Sequence, residues 1–544
     1  MIGLIPLLLV LAPTAPDTYI VTGTIVDHLQ NRPLHTILVT LTSTQDRRLT
    51  VSEITGADGR FGFNNVPAGK YTLSAQRRGN SRPQLYREDG GYSTAIAVGP
   101  GLPSQNIVFP LEAPGSISGT VLDQNGDPPA TAHVWLYRKT VSGGKPEIQI
   151  AGQRQVDRSG SFHAGHLGPG TYFVAVSGRP WYARSFPQGP VTLSGGLPMA
   201  APPNSEFDVV YPVTYYGDTT DPAAAAPINL AEGGSATIQI NLRAVPAVHV
   251  DLGPELQDGR SHNLMRNTFL AVETVGGNTM PVFANMMGMG INGRQELGVA
   301  PGHYILHTTA FDNSSGAMRG TMGPGARIDI AGNTSITPGD LKPTSLSGQL
   351  RFEGSEVPRG QTFLLFSCGN RPFSVRVLKD GSLQPDGQAI RPGHCEVTLG
   401  NAPGFYLKTI AAGVGDAKAS ADTVELAEGV DNRITAVAAK GAMSELNGFT
   451  VQNEQPLSSA MVLLLPEDPA RASLIRRDQS DSDGSFLLRD ILPGRYTLLA
   501  IDNGKDLAYR DPAVIQPYLA QGVTLELPRT DKTPVRVNVA ARRE

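Results

Sequence analysis

Ala57-Asp58-Gly59-Arg60-Phe61-Gly62-Phe63-Asn64-Asn65-Val66-Pro67-Ala68-Gly69-Lys70-Tyr71-Thr72-Leu73-Ser74-Ala75 carries the two signals that decide how this chain folds. Asp58-Gly59 is a tight-turn pair flanked by alternating apolar residues, the pattern of a hairpin. Pro67 pre-sets φ at one turn position and Gly69 supplies the positive φ that a later one needs, so one strand ends and another starts. From Tyr71 to Ala75 apolar and polar residues alternate, which puts Tyr71, Leu73 and Ala75 on one buried face.

Both signals recur. The turn returns as Pro169-Gly170-Thr171-Tyr172, Pro301-Gly302-His303-Tyr304, Pro392-Gly393-His394-Cys395 and Pro493-Gly494-Arg495-Tyr496. The hairpin returns as Arg158-Ser159-Gly160-Ser161-Phe162 and Asp481-Ser482-Asp483-Gly484-Ser485-Phe486. A Gly-containing opening strand precedes them at Val21-Thr22-Gly23, Ile117-Ser118-Gly119, Leu346-Ser347-Gly348 and Leu446-Asn447-Gly448. The intervals are each about the length of one sandwich domain, which makes the 544-residue chain an all-β tandem array of about five β-sandwich modules. The expected divisions are 17–112, 113–242, 243–342, 343–441 and 442–544. The second module carries a Pro-, Gly- and Ala-rich extension at 178–234 that wraps or links, because a structureless loop of that length is uncommon.

The ordered set of opening strand, Pro-containing loop, inner strand, Asp-Gly hairpin and Pro-Gly-x-Tyr strand resembles the carboxypeptidase regulatory-like domain, of the transthyretin type and carbohydrate-binding-like fold. The first, second and last copies carry the full set. The third lacks a recognisable Asp-Gly hairpin and the fourth has Cys395 in place of Tyr, so both are degraded copies. Arg179-Pro180-Trp181-Tyr182 and the segment from Tyr215 to Ala223 are similar to parts of multi-copy exported bacterial proteins of this kind. The resemblance implies immunoglobulin-like or transthyretin-like modules without enzymatic activity of their own.

Composition agrees with a folded β protein. There are 61 glycines and 43 prolines, and charged residues are only 17%. The 45 Lys and Arg are scattered without a basic stripe, so a nucleic-acid partner is not expected. Met1 to Leu11 is an apolar run followed by Ala12-Pro13-Thr14-Ala15, which reads as a signal peptide over 1–16 even though no basic residue precedes the run. No later stretch reaches the roughly 18 to 20 apolar residues of a membrane span.

Catalytic motifs are not found. No His is followed by Glu three places on, as the zinc site of a metallocarboxypeptidase requires, and there is neither a His-Glu-x-x-His helix nor a Gly-x-Ser-x-Gly elbow. His163 and His166 stand close together, but in a hairpin with no carboxylate at ligand spacing, so they read as solvent-facing. Asp481 and Asp483 begin like a calcium loop, yet Arg489 occupies the stretch where its closing Glu would stand, leaving turn chemistry as the better reading. No cofactor or metal is expected.

Two features remain. Cys368 ends one strand and Cys395 begins another, so in an oxidising compartment they form a disulfide or stay as two separate buried thiols. In Ala132-His133-Val134-Trp135-Leu136-Tyr137, Val134 and Leu136 align with core positions, so His133, Trp135 and Tyr137 face outward. That row is either a stacking platform for a sugar ring or, the favoured alternative, a face covered by Trp181, Tyr182 and the extension.

The expected protein is exported to the periplasm, cell surface or medium. It would present contacts to a protein or polysaccharide partner at the cell envelope along a rod of stacked sandwiches. The alternatives are a carbohydrate-binding protein and an accessory subunit of a separately encoded enzyme.

Overall fold

A computed structural model of the protein describes residues 17–79, 82–183, 206–252, 264–282, 295–312, 319–322, 325–337, 344–354, 358, 360–369, 371–385, 390–413, 419–469 and 471–543. The segment 1–16, expected to be a signal peptide, therefore lies outside the described residues, as does 184–205 of the extension.

The array is all-β, its strands arranged in many separate sheets. In the first block, strand Thr18–Asp27 lies between Arg60–Pro67, antiparallel, and Ile107–Leu111, parallel. A second sheet sets Leu38–Ser43 between Thr50–Ile54 and Gly69–Gln76. Alternate residues of both sheets meet in a core that includes Val21, Ile25, Val39, Leu41, Phe61, Phe63, Tyr71, Leu73 and Phe109.

One closing device recurs: the opening strand of each block pairs in parallel with its final strand. Gly115–Asp123 takes Ser235–Leu242, Val248–Leu252 takes Thr334–Ile336, Ser345–Phe352 takes Asp431–Lys440, and Ser444–Gln452 takes Val535–Ala540. The glycine of the opening strand belongs to this contact. A Cβ on Gly23 would fall 2.3 Å from Ile107 O and 2.6 Å from the Phe61 ring, and one on Gly119 would fall 2.1 Å from Ile238 O. Any side chain there would force the closing strand away.

In the third block Leu264–Thr274 pairs with Asn278–Pro281 through Val275–Gly277, the counterpart of the Leu38–Ser43 and Thr50–Ile54 pair. The Asp58-Gly59 turn does not close the expected hairpin: Thr50–Ile54 before it pairs with Leu38–Ser43 and Arg60–Pro67 after it with Thr18–Asp27, so the turn carries the chain from one sheet to the other. The fourth adds Phe405–Ala412 on the far side of its closing strand. The described part of the extension wraps the second block: Thr214–Tyr215 and Ile228–Leu230 both pair with Gly170–Arg179. Near the carboxyl end Asp511 caps the Pro512–Leu519 helix by accepting from the Ala513 N–H at 2.9 Å.

The first and last blocks touch, so the array is not a linear rod. Arg477 pairs with Asp89 at 2.7 Å, the two side chains being 6% and 11% exposed. Gln479 Nε2 donates to Arg87 O at 2.6 Å and to Thr94 Oγ1 at 3.0 Å. Ser482 donates its N–H to Ala95 O, and its hydroxyl accepts from the Ala97 N–H, both at 2.9 Å. Further along, Glu396 accepts from Lys145 at 2.5 Å and Arg510 at 2.6 Å, which joins the second, fourth and last blocks.

Candidate functional site

The Pro-Gly-x-Tyr turn is a corner held by its own tyrosine. Tyr71 donates its hydroxyl to Pro67 O at 2.9 Å, Tyr172 to Gly168 O at 2.7 Å, Tyr304 to Ala300 O at 2.6 Å and Tyr496 to Leu492 O at 2.9 Å. In each case the acceptor lies four residues back, so the ring spans the turn and its polar tip satisfies a carbonyl that the bend leaves unpaired. Burial raises the pKa of all four phenols, so they remain neutral donors. The turn glycines Gly69, Gly170, Gly393 and Gly494 have φ of 154°, 145°, 111° and 155°, which favours glycine over any other residue. Gly302 fills the same place in the third corner.

Cys395 takes the tyrosine's position in the fourth corner and is the direct register partner of Cys368 on the neighbouring strand. Their sulfurs are bonded, and both side chains lie in the core of that block. The covalent link ties the turn to the adjacent strand at the point where the other corners rely on a phenol.

The aromatic row needs a correction. Along Thr131–Ser142 the alternation puts Val134 and Leu136 in the core between the sheets, and Tyr137 on the other face. That face is not open. Tyr137 is completely buried in a second apolar cluster with Ala175, Tyr215, Ala225 and Val275, against which Trp135 packs half-buried. Tyr215 and Ala225 come from the extension and Val275 from the third block, so the cover is also an inter-block joint. His133 is half-buried, within 3.1 Å of the Gln153 amide, and desolvation lowers its pKa.

Trp181 does not take part in the cover. It is 63% exposed and stands edge-on to Tyr182, 5.6 Å between ring centroids, while the Tyr182 hydroxyl accepts from Gln124. The aromatic residues therefore do not form one platform.

His163 is exposed with Nδ1 2.8 Å from Ser118 Oγ, and His166, also exposed, has a φ of 61°. Among the described residues no group of three or more His, Cys, Asp or Glu is placed to hold a metal ion. In the Asp481 turn, Asp483 does the local work by accepting from the Ser485 N–H at 3.0 Å. The Asp481 carboxylate leaves the turn altogether, accepting from the Ala95 N–H at 3.1 Å and from Lys70 Nζ at 2.5 Å. Burial raises its pKa to about 6 against the opposing pull of Lys70. Glu396 goes the other way, because Lys145 and Arg510 outweigh its burial and hold its pKa below the usual value.

The sequence reading missed the residues that join the blocks: Lys70, Asp89, Thr94, Arg477 and Gln479. Each is an ordinary polar residue of a strand or loop, and no local pattern separates it from its exposed neighbours.

Repeated corners, parallel closing strands and block-by-block cores define a tandem array of transthyretin-like β-sandwiches. Residues 20–101, the first sandwich, match the family model of the carboxypeptidase regulatory-like domain. No curated protein matches the chain. Among solved structures, the minor pilin of Streptococcus agalactiae is 18% identical, with 42% of this chain and 97% of that one covered at a TM-score of 0.21. A streptococcal ancillary pilin is 15% identical over 59% of this chain and 98% of that one, TM-score 0.17. The Bacillus anthracis TIE protein is 10% identical over 78% and 76%, TM-score 0.16.

Proposed function

We propose that the chain is an exported, non-catalytic scaffold of sandwich modules, divided near 17–112, 113–242, 243–342, 343–441 and 442–544, which presents contact surfaces to a protein or polysaccharide of the cell envelope. The observation that carries this reading is the use made of its reactive side chains. Lys70, Asp481, Arg477, Asp89, Lys145, Glu396 and Arg510 hold block to block, and the corner tyrosines hold turns. Groups committed to such pairs fix geometry and are not free to move protons for a substrate.

The Cys368–Cys395 disulfide supports an oxidising destination. No described helix is long and apolar enough to cross a membrane. The test is to fractionate the source cells, locate the chain by antibody, and titrate labelled full chain onto purified envelopes. Saturable retention competed by unlabelled chain is the expected result. A cytosolic location, or turnover of peptide, ester or glycoside substrates by the purified chain, overturns the reading.

A further inference from the structure

We propose that the cleft between the fourth and last blocks binds a small organic monocarboxylate with an apolar face. The cleft has a volume of about 450 Å³ and is walled by residues 397–407 and 421–422 on one side and by 471–476 and 489–492 on the other. That is the size of an ordinary small-molecule site, and junctions between domains are where such sites form.

The charges in the walls show what is missing. Arg476 is spent within the protein, donating to Asp490 O at 2.8 and 3.1 Å and to Ser473 O at 2.9 Å. Arg489, at the rim, pairs with Glu445 at 3.4 Å. The Asp422 carboxylate accepts the Ser473 hydroxyl. Arg471 differs from both other arginines. Its Nε is buried without a hydrogen-bond partner, and among the described residues its guanidinium has no carboxylate to pair with. The buried Nε is closed to the cleft, as are those of Arg77, Arg138, Arg477 and Arg510, so a ligand would meet the terminal guanidinium nitrogens, for which a planar carboxylate is the natural complement.

Two further observations narrow the ligand. Asp422 and Asp490 line the same cleft, so a doubly charged phosphate would meet about twice the repulsion that a single carboxylate meets. Leu399, Tyr406, Met443 and Leu474 line it half-buried, leaving apolar surface for one face of a ring or chain.

The experiment is calorimetric titration of the full chain with benzoate and with glucuronate, using benzyl alcohol and inorganic phosphate as neutral and dianionic controls. Saturable binding of one or both carboxylates, at least tenfold tighter than the controls, is expected. Preference between the two tells an aromatic acid from a sugar acid. Arg471→Gln should weaken that binding tenfold or more with an unchanged thermal midpoint. If that variant is destabilised, Thr398→Trp decides, because Thr398 is an exposed residue of the cleft wall and its replacement should block entry. No saturable carboxylate binding overturns the proposal. So does equal affinity for a control, or full affinity in a well-folded Arg471→Gln or Thr398→Trp chain.

Discussion

Lys70 Nζ lies 2.5 Å from Asp481 Oδ2 although 411 positions separate the two residues in sequence. The carboxylate is 13% exposed and also accepts from the Ala95 N–H, so it is part of the joint between the first and last blocks. Asp157 occupies the equivalent turn of the second block and behaves otherwise, accepting from the Ser159 and Ser161 N–H groups of its own turn at 2.8 and 2.9 Å.

The joint should therefore respond to acid in a defined direction. The Asp481 pKa is raised from 3.8 to about 6, so the docked state binds more protons than the undocked one. This group favours docking most below about pH 4, and that contribution is lost as pH rises through 6. Asp481→Asn removes the dependence. Between pH 4 and pH 7 the variant should gain roughly 2 to 3 kcal/mol relative to the native chain, read from paired urea titrations. A constant difference across that window would refute the assignment.

Arg477→Leu leaves Asp89 buried without its cation and removes a guanidinium that sits 4.5 Å from the Tyr92 ring centroid. A loss of about 3 to 5 kcal/mol is expected from breaking a buried pair on one side. Adding Asp89→Leu should restore part of it in the same denaturant series, and a single variant as stable as the parent would contradict the buried pairing.

Tyr304→Phe deletes the hydroxyl that donates to Ala300 O at 2.6 Å and leaves that carbonyl unpaired in a buried corner. The expected cost is about 1 to 3 kcal/mol. Differential scanning calorimetry should show it without a change in the far-ultraviolet circular dichroism spectrum.

Reducing the Cys368–Cys395 bond releases a loop with a sequence separation of 27. The fourth block should lose about 3 kcal/mol by loop-entropy arguments, and the transition that shifts in reductant should be the one that Cys395→Ser also shifts. Non-reducing peptide mapping should recover the linked pair, and two alkylatable thiols in the native chain would be inconsistent with it.

What could be read from sequence was whatever short-range stereochemistry dictates. The tight turn at Asp58-Gly59, the Gly69-x-Tyr71 corner, the period-two strands after it and the capped helix at Asp511 are local, but whether the strands flanking Asp58-Gly59 pair with each other is not, and they go to different sheets. Gly23, Gly119 and Gly448 were visible as a pattern, but their cause was not, because it lies in the carbonyls of Ile107, Ile238 and Val535 on strands far along the chain. Tyr137 was assigned to the correct face, yet its burial depends on Tyr215, Ala225 and Val275 arriving from elsewhere. The contrast between Asp157 and Asp481 marks the limit most sharply. Two aspartates in the same type of turn serve different ends, and only the opposing surface decides which.

Because each opening strand waits for its parallel partner, synthesis order matters. Thr18–Asp27 emerges early but has an open side until Ile107–Leu111 follows, and Gly115–Asp123 waits longer still for Ser235–Leu242. Such non-local pairings close slowly and leave strand edges exposed in the meantime. Lys70 and Asp89 wait for nearly the whole polypeptide, so during synthesis the amino-terminal sandwich spends its first moments with its docking surface bare.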